Sequence, residues 1–490
     1  MSNKDEIIPD YSEDEIVEPI YENIDDLESV SIPSYKEEIK AEEEDDDDDD
    51  DETEEINFEI FEYVAEIKTP LKETINERMK KYSRTLMMIS SLFIPGLIVL
   101  LVISSHSKML INEAISNITI VLLGVFIALF IVGLGIFISK IKVKIEKTIN
   151  NWFKYVYSIF MVVYIIGCFA FLFLLYGPYN NFKDWLVTTA MATMNHQYYC
   201  KWFYSEKEID EVFSRHYIRE TGDSTDDSLI KVNNDIINQT SYANKYEEQI
   251  LKREEGTLYK LIEFEVNGCK AYLAVIYDPS KVSVTTTKYV GKTGQYVTTM
   301  AKREKAVVAI NGAGFKDPGH SSTGSMPRGI TIVNGKIVTN NEYGAVSTGG
   351  IIGFTKENKL VLLKNKSAAQ ALEMGVRDAV SWGPFLIVNG KSAYTSGNGG
   401  WGYAARTAIG QREDGIVLLL VVDSNYNRSK GASMVDLTRI MENYGAINAT
   451  NLDGGTSSVM AINGELINDP IDSALVHQTR PIATSFIVTE

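Results

Sequence analysis

The chain has 490 residues, 45% of them hydrophobic, and a formal net charge of −19. Residues 1–66 hold 29 Asp/Glu and 3 Lys/Arg, so the remainder carries 44 Lys/Arg against 37 Asp/Glu, a surplus of +7. The acidity therefore belongs to a tail rather than to a folded domain, and three cysteines exclude a disulfide scaffold.

The centre of the tail is Glu42-Glu-Glu-Asp-Asp-Asp-Asp-Asp-Asp-Asp51. Adjacent aspartates repel one another and have nothing apolar to bury, so residues 1–66 are expected to be disordered. A solvated tail is the simpler reading, and a cation- or basic-partner-binding tail the sharper one.

Three uncharged apolar runs follow at Thr85–Ile103, Ile118–Ser139 and Tyr155–Tyr176. Each has about the 20 residues needed to cross hydrocarbon. The first begins too far from the N-terminus for a secretory signal. Lys140, Lys142, Lys144, Lys147 and Lys154 lie between the second and third runs, and only Lys108 between the first two. Lys80, Lys81 and Arg84 precede the first. The positive-inside rule then puts tail and lysine loop in the cytoplasm and everything after Tyr176 outside. Trp152, Tyr155, Tyr176 and Tyr179 stand where interfacial aromatics belong. Cys168 lies in the third run, whereas Cys200 and Cys269 fall outside and are free to pair or not. Five scattered histidines show no zinc spacing.

The remaining 314 residues suffice for one large domain and a connector. Residues 182–219 read as helical, through Trp185, Leu186, Met191, Met194, Ile209, Val212 and Phe213. Residues 221–249 are polar and read as a linker or loose lobe. After Gly256 the texture changes to strands. Asn267-Gly268, Asn334-Gly335, Asn389-Gly390 and Asn463-Gly464 each separate apolar runs, as type I′ hairpin turns do. Glu413-Asp-Gly415 turns a further hairpin within Ala405–Asp423. Ser433 and Asp436 form a capping box before the stripe Leu437, Ile440, Met441, Tyr444, and Gly445 fits the left-handed stop. A second helix is predicted over Ser367–Met374. The fold class is α+β: a strand-rich, largely antiparallel domain at 256–490 with packed helices, after a tail (1–66), a membrane region (67–176) and a connector (177–255).

Gly291-Lys292-Thr293 lacks the earlier glycine of a P-loop, Gly319-His-Ser321 lacks the second glycine of a nucleophile elbow, and no His-Glu-x-x-His occurs. What remains is a set of strand ends with polar cargo. Asn311 ends the apolar run from Ala306, Asp423 ends Val417–Val422, and Asp453 ends the run from Gly445 and is followed by Gly454, Gly455, Thr456, Ser457 and Ser458. Arg406 and Arg480 each open a strand. Any one of these has a structural reading: Asn311 as a turn cap, Asp423 as an acceptor of backbone bonds, an arginine as a partner of either aspartate. Together they suggest one Gly-lined pocket able to hold an anion.

Asn311-Gly-Ala-Gly-Phe315, Arg406-Thr-Ala-Ile-Gly410, Asp423, Met434-Val-Asp-Leu with Met441 and Gly445-Ala, Asn451-Leu-Asp-Gly-Gly-Thr-Ser-Ser458 and Arg480-Pro481 occur in order. This set resembles the phosphodiester glycosidase family over about residues 260–490. Tyr176-Gly-Pro and Ala190-Met-Ala-Thr-Met-Asn-His196-Gln-Tyr further resemble its membrane-anchored bacterial branch, associated with exopolysaccharide biosynthesis. The family turn Asn-Gly-Gly-Phe is altered here by Ala313 and Gly314, and Thr456 replaces the glycine after Asp-Gly-Gly.

The resemblance implies hydrolysis of a sugar-1-phosphodiester through an oxocarbenium-like state. Phosphate is a weakly basic leaving group and needs charge stabilisation more than protonation. The catalytic candidates are Asp453, to activate water or stabilise the anomeric centre, Asp423 as a second carboxylate, and Arg406 for the phosphate charge. The substrate-binding candidates are Asn311, Gly312, Arg328, Gly454, Gly455, Ser457 and Arg480. The expected partners are a phosphorylated glycan or sugar-1-phosphodiester and a lipid bilayer, with no nucleic acid and no cofactor. The alternatives are a non-catalytic binder of anionic cell-surface polysaccharide and a metal-dependent phosphodiesterase cutting P–O.

Overall fold

The computed structural model describes residues 52–107, 113–138, 151–193, 196–222, 224–232, 241–316, 323–341, 349–424, 431–472 and 475–490. The chain divides into two units, Met1–Arg78 and Met79–Glu490. Within the first, helix α1 (Glu52–His106) starts inside the acidic tail, so the disorder expected over 1–66 gives way to helix from Glu52. The aspartate run lies outside the described residues.

Helices α2 (Glu113–Ile138) and α3 (Asn151–Tyr176) complete the apolar set. Arg78–His106, Ile115–Ile136 and Tyr155–Tyr176 are long and apolar enough to cross a membrane. Their outward side chains match: Val121, Ile131 and Phe169 are exposed, the last by 76%. Lys140, Lys142, Lys144 and Lys147 lie outside the described residues, and Lys154 falls within α3.

Three short helices follow: α4 (Asn180–Met191), α5 (Gln197–Phe203) and α6 (Glu206–Arg215), the last opened by a Ser205–Glu208 capping box. They clasp the ends of the apolar helices. Leu175 of α3 is 3% exposed in a cluster with Val187 and Val212, and Tyr204 donates to its carbonyl at 3.2 Å. His106 bonds Glu208 at 2.9 Å and stacks on Tyr176 with centroids 3.9 Å apart. Cys200 sits in α5, buried, with its thiol 3.3 Å from the Leu186 carbonyl, and no disulfide joins it to Cys269. The described part of 221–249 is anchored rather than loose. Thr225 donates to the Leu362 carbonyl, Ile230 is 1% exposed, and Asn244 caps α7 (Lys245–Leu251), which buries Ile250 and Leu251.

The strands, in order, are β1 (Tyr217–Arg219), β2 (Tyr259–Val266), β3 (Cys269–Ile276) and β4 (Val282–Thr286), then, after α8 (Val297–Glu304), β5 (Ala306–Asn311). Next come β6 (Phe315–Lys316), β7 (Met326–Pro327), β8 (Ile330–Val333), β9 (Lys336–Asn340), β10 (Gly350–Thr355) and β11 (Leu360–Leu363). Helix α9 (Ala368–Glu373) leads to β12 (Val376–Trp382), β13 (Phe385–Val388), β14 (Lys391–Ser392), β15 (Tyr394–Ser396), β16 (Arg406–Arg412) and β17 (Val417–Val422). Helix α10 (Met434–Asn443) precedes β18 (Ala446–Asn451), β19 (Met460–Ile462), β20 (Glu465–Leu466) and β21 (Thr484–Thr489).

All four Asn-Gly turns have both residues at positive φ, 49–54° for the asparagines and 71–77° for the glycines, and each joins a hairpin. The main sheets run β14-β13-β18-β16-β17-β3-β2, β20-β19-β5-β21-β4 and β11-β10-β12-β8-β9. Alternation explains the unbroken apolar runs of the first sheet. Val417, Leu419 and Val421 of β17 face β4, β5 and β21, while Leu418, Leu420 and Val422 face α10 and α7. A strand buried on both faces has no polar side to show. Helix α10 has the expected Ser433–Asp436 capping box, and Gly445 takes φ +79°. Ser367 caps α9 in the same way.

Ser433→Ala removes that box and is expected to lower stability by about 1 kcal/mol. The check is the urea midpoint, which should fall without a change in slope.

Candidate active site

The polar strand ends meet because their strands are antiparallel neighbours. Arg406 at the start of β16 pairs with Val422 at the end of β17, and Ala408 pairs with Asn451 at the end of β18. Asp423 and Asp453 therefore leave the sheet at the edge where Arg406 enters it. In the second sheet, Asn311 at the end of β5 pairs with Ser485, so the start of β21 and Arg480 before it arrive at the same edge.

Asn311 joins the two sheets. It is fully buried, its Nδ2 donates to the Asp453 carbonyl at 2.7 Å, and its Oδ1 accepts from Thr407 Oγ1 at 2.7 Å and Val459 N–H at 3.1 Å. The Asp453 N–H returns a bond to the Gly312 carbonyl at 3.1 Å. Gly312 admits no side chain there, since a Cβ would fall 2.5 Å from Thr484 Oγ1.

The Asp453 carboxylate faces Arg480 at 3.5 Å. Arg480 also donates from Nε and Nη2 to Ser457 Oγ, at 2.8 and 2.6 Å, and lies over the Phe315 ring. Gly455 donates to the Ala405 carbonyl at 2.8 Å, and a Cβ on Gly454 would stand 3.5 Å from Arg406 Nη1. Arg406 is 5% exposed. Its Nε donates to Ala432 O at 3.1 Å, and its Nη2 to Gly402 O at 3.2 Å and to Trp401 O. Burial pushes its pKa down to about 10, with Asp453 acting the other way, so the group stays charged at neutral pH.

Asp423 makes no direct bond to Asp453. It accepts from Asn468 Nδ2 at 2.8 Å and from the Asp469 N–H, and burial holds its carboxyl above the usual range despite those bonds. Asn468 ties it to the Asp-Gly-Gly turn by donating to Ser458 O at 2.9 Å. Arg328 is held beside the Asn311–Phe315 turn: its N–H donates to Gly314 O, and its guanidinium lies 5.8 Å from the Trp382 ring centroid. Trp382 covers Gly314 so closely that a Cβ there would be 2.2 Å from the ring.

The structure thus gathers Asp453, Arg406, Arg480, Ser457, Gly454, Gly455, Asn311 and Gly312. Asp423 is attached through Asn468, and Arg328 through its bond to Gly314 O. Sequence reasoning missed Asn468, Thr407, Trp382 and Thr484. Asn468-Asp-Pro470 carries only turn chemistry in sequence, and a lone Thr or Trp inside a strand carries no signal.

An α+β domain with a carboxylate, two arginines and a Gly-Gly-Thr-Ser turn at one convergent edge is equipped to hold an anionic ester. Residues 304–489 match, and form a domain of, the phosphodiester glycosidase family. The chain is similar to the SPbeta prophage-derived uncharacterized protein YomE of Bacillus subtilis, 30% identical over 210 residues, which are 41% of this chain and 32% of that protein. It is similar also to the N-acetylglucosamine-1-phosphodiester alpha-N-acetylglucosaminidase of Bos taurus, 35% identical over 69 residues, 14% of this chain and 13% of that enzyme. The catalytic domain of the zebrafish N-acetylglucosamine-1-phosphodiester alpha-N-acetylglucosaminidase, auto-inhibited by its pro-peptide, aligns with a TM-score of 0.40 and 23% identity over 49% of this chain and 86% of that one. The chain therefore spans well under half of either sequence relative.

Asp423 supplies a pH test. A carboxyl raised in the fold contributes fully below its unfolded value of about 3.9 and loses that contribution as pH rises through the folded value. Asp423→Asn removes the loss. The stability of the wild type relative to this variant, followed by thermal unfolding in detergent between about pH 3.5 and 7, is expected to fall as pH rises. A rise would reverse the sign.

Proposed function

We propose that the protein is a membrane-anchored glycosidase that hydrolyses a sugar-1-phosphodiester in cell-surface or exopolysaccharide glycans. The observation that carries the reading is the Asp453 carboxylate standing at one edge between Arg480, Arg406 and the Gly454-Gly455 turn. It is supported by the family match over 304–489.

In this reading Asp453 acts at the anomeric centre, as the base for water or as the charge opposite the oxocarbenium. Arg406 is a fixed positive charge for the departing phosphate, and Arg480 a second one whose Ser457 partner keeps it aimed. Preset donors suit a leaving group that gains charge without needing a proton. Asn311 holds the Asp453 backbone and leaves sugar hydroxyls to other groups. Asp423 sets the far side of the turn through Asn468. Arg328, lying over the buried Trp382 ring, is the flanking group able to meet the sugar or the aglycone.

The positive-inside asymmetry of Lys80, Lys81 and Arg84 against Lys108 supports an orientation with this domain outside the cell. Single cysteines near Asn398 should then react with an impermeant maleimide on intact cells. Protection until lysis would refute that orientation.

Hydrolysis of a sugar-1-phosphodiester panel in ¹⁸O-water tests the reaction. Glycosidic C–O cleavage puts the label on the sugar. Label on phosphate marks a phosphodiesterase, and no turnover marks a binder. Asp453→Asn is expected to lower kcat by about 10²–10⁴-fold with unchanged melting temperature. Near-normal turnover would sink its assignment.

A further inference from the structure

Three bonds from the Arg406 guanidinium go to backbone carbonyls, and two of those carbonyls belong to Trp401 and Gly402. These residues close the loop Gly397–Gly402, in which four glycines at φ between +58° and +79° leave few side chains to pack. The loop takes its shape from what it lies on, and that is the connector.

Asn398 is the main pin. It is 5% exposed, donates from its N–H to His216 Nδ1 at 3.1 Å and from Nδ2 to Thr188 Oγ1 at 2.9 Å, and accepts from the Gly400 N–H at 3.0 Å. Ser396 Oγ donates to Arg215 O at 2.8 Å, and β15 pairs with β1 through Tyr217 and Ser396. The glycines permit the close approach. A Cβ on Gly397 would lie 2.2 Å from His216 Nδ1, one on Gly400 2.8 Å from His216 O, and one on Gly402 2.9 Å from the Thr189 Cα. His216 is itself fixed. Because Nδ1 accepts from Asn398, the ring hydrogen sits on Nε2, which donates to Asp184 Oδ2 at 2.9 Å. Asp184 also holds Arg215 at 2.6 Å.

Asp184, Thr188 and Thr189 are on α4, His216 follows α6, and all precede the family-matched residues 304–489. The domain's buried arginine is thus braced from outside the family domain. We propose that the membrane-proximal connector is a working part of the active site, with Asp184, His216 and Asn398 as positioning residues that hold the Trp401 and Gly402 carbonyls against Arg406. This rests on the reading of Arg406 as the stabiliser of phosphate charge. With Nε and Nη2 held, Nη1 is left on the side of Gly454 and Asp453. A loop free to drift lets the guanidinium follow its carbonyls away from that line.

The test is steady-state kinetics of the full-length chain in detergent on a soluble sugar-1-phosphodiester. A displacement of about 1 Å in a positioned group can cost about 100-fold in rate, so Asn398→Ala is expected to lower kcat about 10- to 100-fold with KM little changed. Combined with Arg406→Lys, it should cost little more than Arg406→Lys alone, because both disturb one interaction. A loop that matters only for folding gives instead a lowered melting temperature and effects that add. Thr188→Val, which removes the hydroxyl that Asn398 Nδ2 bonds while keeping volume, repeats the experiment where Asn398→Ala fails to fold. Wild-type kcat in both variants, or full additivity with Arg406→Lys, overturns the proposal while leaving the proposed reaction intact. Wild-type activity in Arg406→Ala overturns both the connector's role and the reading of Arg406.

Discussion

The buried carboxamide of Asn311 is the joint on which the site depends. Its oxygen takes Thr407 from the seven-stranded sheet and the Val459 amide from the chain entering β19, and its nitrogen fixes the carbonyl of Asp453. Asn is the smallest side chain that carries an amide oxygen and an amide N–H₂ together, so one group can accept twice and still donate. A buried amide left with half its bonds costs about 1–3 kcal/mol, so the arrangement holds as a whole or not at all. Two sheets that share one apolar core are thereby also registered at their polar edge.

Around that joint the site separates into parts that hold and parts that face outward. Asn311, Gly312, Asn468 and Thr484 hold backbone. Asp453, Arg480 and one edge of Arg406 remain for a ligand. Arg406 is already bonded to carbonyls, so its charge is in place before any substrate arrives. In the proposed reaction such preorganisation needs no rearrangement as charge develops, as in an oxyanion hole, with a guanidinium in place of amides.

Much of the fold was legible in the sequence because its signals are local. The Asn-Gly turns, the Ser433 and Ser367 caps and the Gly445 stop each concern a few adjacent residues, and each stands where expected. The three apolar runs were legible by length alone. The convergence of Asn311, Arg406 and Asp453 followed from strand-end position, but the role of Asn311 did not, because its partners are 96 and 142 residues away. Asn468 and Trp382 were invisible for the same reason. The polar composition of 221–249 hid the anchoring of Ile230 and α7, since one or two well-placed apolar side chains do not move an average. Helix at 52–66 was missed because a charge count says nothing of what continues downstream.

The clasp at the base of the domain has a consequence for how the protein explores its surroundings. His106 bonded to Glu208 and stacked on Tyr176, with Leu175 sealed among α4 and α6, ties the ends of α1 and α3 to the folded unit. A domain on a flexible tether sweeps a volume set by linker length, and its encounter rate falls as that volume grows. On the proposed membrane anchoring, a domain clasped in this way presents its candidate edge at a set height above the bilayer. In that proposal its search is two-dimensional, carried by lateral diffusion, and molecules standing at the wrong height do not meet it however abundant they are.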